Sequence, residues 1–430
     1  MNLTDTEKMM LDGRDGLAVQ KAMELLVRYG DALGAERLVD TNNVCGAVTA
    51  PTPEKLEMVK IQGLDHALHA GFSEMNLDSR EVIEVPRVKV YTCQLIQRFG
   101  PDTAGLHEGS RELLDLQKQS DEFFGARGVH IMATCVPYHV GNFPVRGEHC
   151  AWMESSAVVY CNSVLGALTN TEGRESTGAA SLTGKIPYWG YHLTENRFGT
   201  YLVEVEVPTD SMMDWGLLGY YVGEIVQDDI PVLLGRLSQP DLAKLKHFGA
   251  AAASSGGVEM YHIPGVTPEA PSIESAFGHR GPVQTLRYGM KERRIAYEKL
   301  NASAKDRNVD FVMLGCPHDS IEQVWQATRL LEGKRLHPAT ELWIHTPRAL
   351  REVADRSGYT KIVEKAGGHI LSDSCPAISR LMPKGTNVVA TDSAKQAHYL
   401  PAITGVQTWF GSLEDCVQVA VTGKWSAGLD

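Results

Sequence analysis

The chain has 430 residues, 43% hydrophobic and 22% charged, ordinary globular values that exclude disordered, collagenous and coiled-coil classes. Forty-one basic against fifty-three acidic side chains leave a net charge of −12, a field that works against nucleic acid or an anionic membrane as a partner. No run reaches the ~18 to 20 apolar residues of a membrane span, and the polar start is unlike a signal peptide, so a cytoplasmic chain with eight reduced cysteines is expected.

The first forty residues read as helical. Thr4-x-x-Glu7 has the form of a capping box, Ala18, Ala22, Leu25, Leu26 and Tyr29 recur at helical spacing, and Gly30 and Gly34 mark the end. A second helix is expected to start at Pro53 with Thr52 as its N-cap and to run towards His69. Short apolar runs then alternate with amphipathic ones, a βαβα rhythm that predicts parallel sheets flanked by helices, an α/β fold. At ~150 residues per domain the length suits about three domains or one enlarged enzyme core. The nearest thing to a linker is Gly249 to Gly257, which reads as a helix end or a hinge.

Four segments share one layout: a short apolar or β-branched run ending in small or polar residues. They lead to Cys135, Cys316, Cys375 and Ser393. In an open α/β sheet functional groups gather beyond the carboxyl ends of strands, so four tips far apart in sequence can meet.

Twenty prolines in 430 residues place fewer than one directly after eight cysteines by chance, yet Cys316-Pro317 and Cys375-Pro376 give two, and Cys135-Val136-Pro137 comes close to a third. A proline there stiffens a loop that holds a thiolate and removes a competing N–H. Three thiolates leave one position of a metal site open to a substrate oxygen, whereas a structural zinc calls for four ligands, usually in CxxC pairs that this chain lacks. The competing reading makes all eight cysteines small core residues; for Cys161 and Cys416, on helical patterns, packing is sufficient. A third use is a nucleophilic thiol at Cys316 paired with His318. No HExxH, GxSxG, Walker A or GxGxxG pattern is present. Glu148 and His149, in Arg146-Gly147-Glu148-His149, lie in a site loop or a solvated turn. Ser393-Ala394-Lys395 sets a hydroxyl beside an ammonium, which suits either stabilisation of an alkoxide or a plain N-cap.

These residues resemble the catalytic, large part of the aconitase X family. The resemblance rests on Thr134-Cys135-Val136-Pro137-Tyr138, Gly147-Glu148-His149 with Trp152-x-Glu154-Ser155-Ser156, Leu182-Thr183-Gly184-Lys185, Gly315-Cys316-Pro317-His318, Ser374-Cys375-Pro376 and Thr391-Asp392-Ser393-Ala394-Lys395. It spans nearly all of residues 1–430 and implies an aconitase-like, multi-lobed α/β core. It further implies an iron-sulfur cluster or mononuclear iron held by Cys135, Cys316 and Cys375, with Ser393 as base and Lys395 as the cation for a substrate carboxylate. Glu148 and His149 become candidate catalytic residues. No stretch corresponds to the small swivel domain, so the resemblance implies a small swivel partner, either a separately encoded small subunit or a further domain outside this sequence. The activity implied is a hydro-lyase acting on a small hydroxy acid. The unexceptional charge content favours cis-3-hydroxy-L-proline, converted to a pyrroline-2-carboxylate, over mevalonate 5-phosphate. A catalytically silent subunit that binds a small acid is the reading from another class. Leu168 and Thr171 stand where many relatives carry arginine, which counts against a phosphorylated substrate, and Val136 replaces a polar residue beside Cys135.

Overall fold

A computed structural model describes residues 1–48, 51–103, 106 and 111–429. The chain divides into two compact units: Met1–Ile96, Gly109–Ala133 and Phe143–Arg197 form the first, and Gln97–Glu108, Thr134–Asn142 and Phe198–Asp430 the second.

The first unit opens on helix Asp5–Leu11, where the Thr4 hydroxyl accepts from the Glu7 N–H at 3.3 Å and Glu7 accepts from the Thr4 N–H at 2.7 Å, completing the expected capping box. Helix Leu17–Ala32 follows and buries Ala18, Ala22, Leu25 and Leu26. Thr52 caps helix Pro53–Gln62 as the sequence indicates, its hydroxyl accepting from the Lys55 N–H. The helix does not continue to His69. Gly63 adopts φ +87°, breaks it, and starts a second helix, Leu64–Leu77.

Strands β1 (Leu38–Asp40), β2 (Asn43–Gly46), β3 (Tyr91–Gln94), β4 (Val129–His130), β5 (Cys150–Trp152) and β6 (Lys185–Pro187) complete this unit. β1 and β6 pair antiparallel. The others form a parallel sheet in the order β4-β3-β2-β5, over a core that includes Leu26, Val44, Phe72, Phe124 and Ile186. Three consecutive strands step one way and β5 returns to the far side of β2, so the topology reverses between β2 and β5.

The second unit contains two parallel sheets. Strands β7 (Tyr201–Val205), β8 (Pro231–Gly235) and β9 (Gln284–Tyr288) run in the order β8-β7-β9. Strands β10 (Phe311–Leu314), β11 (Glu341–Thr346), β12 (His369–Ser372), β13 (Val388–Thr391) and β14 (Gln407–Phe410) run in the order β12-β11-β10-β13-β14. Strands β10 and β13 in the middle of the last sheet are buried on both faces, which is why they read as continuous runs, while the edge strand β14 alternates. Val312, Leu314, Ile344, Ile370 and Ala390 pack there against Leu331, Val363 and Val417 from the flanking helices.

The segment Gly249 to Gly257 is a helix end and not a linker. Its alanines lie inside helix Leu242–Ser255, and Gly257 turns the chain out of it at φ +93°. No helix among the described residues is long and apolar enough to cross a membrane.

Candidate active site

Three of the four strand tips singled out by the sequence belong to one sheet. β10 leads into Gly315, Cys316, Pro317 and His318; β12 leads into Asp373, Ser374 and Cys375; β13 leads into Asp392 and Ser393. The strand before Cys135 is β4, a member of the first unit's sheet, while Thr134 and Cys135 themselves belong to the second unit with the other three tips. The shared layout reflects a local pattern, strand then small-residue turn, that two sheets can each supply.

Each cysteine follows a backbone reversal. Ala133 has φ +47°, Gly315 φ +89° and Asp373 φ +68°. Only glycine suits position 315, since a Cβ there would stand 2.1 Å from the His345 carbonyl oxygen in the neighbouring strand.

His318 ties the three cysteine loops together. It is fully buried; its N–H points to Cys135 Sγ at 3.3 Å, Nδ1 lies 3.0 Å from Thr134 Oγ1, and Nε2 lies 3.2 Å from the Ser374 carbonyl oxygen. A carbonyl can only accept, so Nε2 carries the proton and Nδ1 accepts from the Thr134 hydroxyl. That hydroxyl in turn accepts from the Val136 N–H at 3.1 Å. With both ring nitrogens engaged in this way, His318 acts as a brace across the Cys135, Cys316 and Cys375 loops, and not as a base for the Cys316 thiol.

The cysteines divide by exposure. Cys135 and Cys316 keep 8% of their surface and Cys375 7%, while the other five keep 0–1%. All eight are free thiols. Among the described residues, no three His, Cys, Asp or Glu side chains are gathered closely enough to hold a metal ion as they stand.

The surroundings hold one buried cation that sequence reasoning missed. Lys246, on helix Leu242–Ser255, is 1% exposed and donates to the carbonyls of His318 at 2.9 Å and Pro317 at 3.4 Å and to Gln323 Oε1 at 2.6 Å. Three acceptors call for three N–H bonds, which only the ammonium form has. Burial pulls its pKa down, opposed by Asp319, Cys135, Asp392 and Cys316 in that order. Burial likewise raises Asp319 well above the carboxylate range, with Asp392 adding to the shift. His139, His247 and His345 are each pushed down to about 3, chiefly by burial, so this part of the unit is lined by neutral imidazoles.

Asp392 is held up at about 6, first by burial. A carboxyl group whose folded pKa exceeds its unfolded value binds more protons in the native state, so between about pH 4 and 6 its contribution to stability falls as pH rises. Asp392→Asn removes that falling limb. The variant is expected to gain melting temperature over the wild type at pH 7 and to match it at pH 4, as thermal denaturation at the two pH values will show.

Ser393 is buried and caps helix Ala394–Thr404, its hydroxyl accepting from the Gln396 N–H at 3.1 Å. Lys395 sits half-buried in the first turn of the same helix. Glu148 and His149 belong to the first unit, immediately before β5, and so lie at the amino edge of their sheet. Glu148 accepts from the Val145 N–H at 2.9 Å, and His149 Nδ1 lies 2.9 Å from His192 Nδ1. Burial, then Arg37 and Arg197, lower the His149 pKa. Both residues line a cleft of about 510 Å³ with Lys89, Thr183 and Lys185. The structure thus gathers Cys135, Cys316, Cys375, Ser393 and Lys395 into one unit and places Glu148 and His149 in the other.

Three family models cover the chain in succession: the aconitase X first domain over residues 1–195, the second over 199–298 and the third over 309–422. The chain is 36% identical to the phosphomevalonate dehydratase large subunit of Methanocaldococcus jannaschii, over 97% of this chain and 100% of that protein. It belongs to the aconitase X family. The cis-3-hydroxy-L-proline dehydratase of Pseudomonas aeruginosa is 34% identical over 98% of this chain, which corresponds to 70% of that longer protein. A crystal structure of the holo-form of aconitase X from Thermococcus kodakaraensis superposes with a TM-score of 0.82 at 32% identity, covering 98% of this chain and 100% of the other. The first-domain model covers the first unit and also the segments Gln97–Glu108 and Thr134–Asn142 of the second. The first-domain model ends two residues before Arg197, and the second- and third-domain models each hold one of the second unit's sheets.

Proposed function

We propose that the chain is the large, catalytic subunit of an aconitase X hydro-lyase that removes water from a small hydroxy acid. Relatives named as dehydratases match it over almost its whole length. The observation that carries the site assignment is the bracing of the Cys135, Cys316 and Cys375 loops by His318, together with the small exposure that separates these three thiols from the other five. Three cysteine sulfurs on braced loops, each with 7–8% of its surface exposed, are soft donors of the kind that suits iron or an iron-sulfur cluster once the loops draw together on it. Such a group, held by the three cysteines, would offer a Lewis-acid position to the leaving hydroxyl.

The remaining work falls to the chain's own groups. Ser393 Oγ takes the proton from the carbon adjacent to the one that bears the leaving hydroxyl, and the electron pair of that C–H bond forms the double bond as the hydroxyl departs. The Gln396 N–H and the amino end of helix Ala394–Thr404 favour a negative Oγ in advance of that transfer. Lys395, in the first turn, holds a substrate carboxylate. Lys246 and His318 keep the Cys316 loop in shape.

The preferred substrate is cis-3-hydroxy-L-proline. A mevalonate 5-phosphate reading is supported by identity: the chain is 36% identical to a phosphomevalonate dehydratase large subunit and 34% identical to the hydroxyproline enzyme. On either substrate a small subunit completes the enzyme, and the eight free thiols accord with a cytoplasmic setting. Anaerobically reconstituted protein with its small subunit is expected to dehydrate one of the two compounds; no turnover with either overturns the reading.

Ser393 separates its two roles by substitution. Loss of the cap in Ser393→Ala should cost about 1 kcal/mol of stability, and Ser393→Gly only a few tenths, about 0.3 kcal/mol. Both should lower kcat by about 10² to 10⁴, the range for loss of a general base. Thermal melts and steady-state rates on the two variants measure this; activity that tracks stability across them would reduce Ser393 to a cap.

A further inference from the structure

The first unit contains two cations side by side, neither of them in an ion pair among the described residues. Lys55 comes from helix Pro53–Gln62 and Arg174 from the start of helix Arg174–Thr183. Both rest on the same face of helix Leu64–Leu77. A Cβ at Gly71 would stand 2.6 Å from Lys55 Cε and 3.0 Å from its Nζ, and the Arg174 guanidinium reaches Met75 Sδ at 3.5 Å, one turn further on. Asn76 fixes the arrangement by donating to the carbonyls of Ala47 and Arg174, each at 3.3 Å. Among the described residues, that methionine sulfur is the only hydrogen-bond partner of the guanidinium, and neither cation has an ion-pair partner.

Their place in the topology is equally particular. Arg174 lies just past the carboxyl end of β5, because the Glu172 N–H bonds to the Trp152 carbonyl that ends that strand. Lys55 lies on the chain leaving β2. These are the two neighbouring strands between which the sheet order reverses, and ligands of open α/β sheets bind in the crevice at that reversal.

Burial and then Arg174 hold the Lys55 pKa down at about 8, against a smaller upward pull from exposed Glu74. Burial also lowers Arg174, against an upward pull from exposed Glu175. Two half-buried like charges destabilise a fold unless an anion joins them.

We propose that Lys55 and Arg174 form an oxyanion-binding site at the carboxyl edge of the β4-β3-β2-β5 sheet, which takes the phosphate or carboxylate group of a small organic acid. The assignment stands on the first unit alone and holds whether or not the chain is a dehydratase. It supplies cations that Leu168 and Thr171 do not, so a phosphorylated ligand remains compatible with this chain.

The test is calorimetric titration of the full chain with sulfate, as a tetrahedral dianion, and with acetate, as a carboxylate, at constant ionic strength. Wild type is expected to bind at least one. Sulfate over acetate identifies a phosphoryl group as the natural ligand, and the reverse identifies a carboxylate. Lys55→Met and Arg174→Met should each weaken binding by about tenfold, the loss of one charge-assisted contact. Sulfate affinity should fall from pH 7 to pH 9 as Lys55 gives up its proton. Without anion, Lys55→Met should melt at or above the wild-type temperature, since it relieves a repulsion. Failure to bind either anion, or equal affinity in wild type and both variants, overturns the proposal. So does a lower melting temperature in Lys55→Met with affinity retained, because the lysine is then a structural residue.

Discussion

Cys375→Ser protein, purified anaerobically, is expected to lose its iron and to dehydrate substrate at least about a thousandfold more slowly than wild type, with little change in melting temperature. Cys375 sits at the turn from β12 into the short helix Pro376–Ser379, with 7% of its surface exposed. A serine hydroxyl is isosteric enough to keep that turn but is a hard, weakly acidic donor where a soft thiolate is needed. The same change at a cysteine buried for packing alone behaves oppositely. Cys416 is fully buried in helix Leu413–Thr422, and burial raises its thiol pKa well above normal. Cys416→Ser should therefore cost stability, about 1 to 3 kcal/mol for burying a hydroxyl, and leave the iron content unchanged. Measuring iron, rate and melting temperature on both variants separates ligand from filler.

Lys246→Met is expected to produce the largest loss of stability of any single change near the site. The buried carbonyls of Pro317 and His318 lose their donor at once, while Gln323 Oε1 keeps the Ser320 N–H; each unsatisfied group costs about 1 to 3 kcal/mol, so the total should be on the order of 2 to 6 kcal/mol. Asp319 and Asp392 lose the nearest cation at the same time. Lys246→Arg should not restore the wild type, because a planar guanidinium cannot reproduce a tetrahedral ammonium among three acceptors. Denaturation midpoints of the two variants against wild type check this, and a Lys246→Met protein as stable as wild type would show that the ammonium is dispensable.

What was legible in the sequence follows a physical division. Local chemistry was readable: the Thr4 and Thr52 caps depend on residues three apart, and the apolar runs before Cys316, Cys375 and Ser393 announce buried parallel strands. Breaks in periodicity set by backbone torsion were not. The apolar pattern passes straight through Gly63, and only its positive φ reveals that two helices meet there. Long-range pairing was the least visible. Lys246 meets carbonyls 71 and 72 residues away, and its one signal was a lysine set among Leu245, Phe248 and Ala252 on an otherwise apolar helix face. His318 was noticed for its nearness in sequence to Cys316, yet its contacts run to Thr134 and Ser374. The Lys55 and Arg174 pair left no trace, since each reads alone as an ordinary surface cation.

The identity of Ser393 illustrates how one group can satisfy two demands. An N-cap hydroxyl accepts from the backbone and lies at the positive end of a helix, which is also where an alkoxide is least costly. The structural and the chemical readings of this residue are therefore not alternatives, and the Gly and Ala variants divide them by magnitude.

The central claim is that Cys135, Cys316 and Cys375 hold iron for a dehydration reaction. The most direct test is iron and acid-labile sulfide per chain in anaerobically purified protein, co-expressed with its small subunit, for wild type and Cys135→Ala. Iron in the wild type that disappears with Cys135 is the predicted result. Iron retained at the wild-type level by Cys135→Ala, or absent from both proteins after reconstitution, would contradict it.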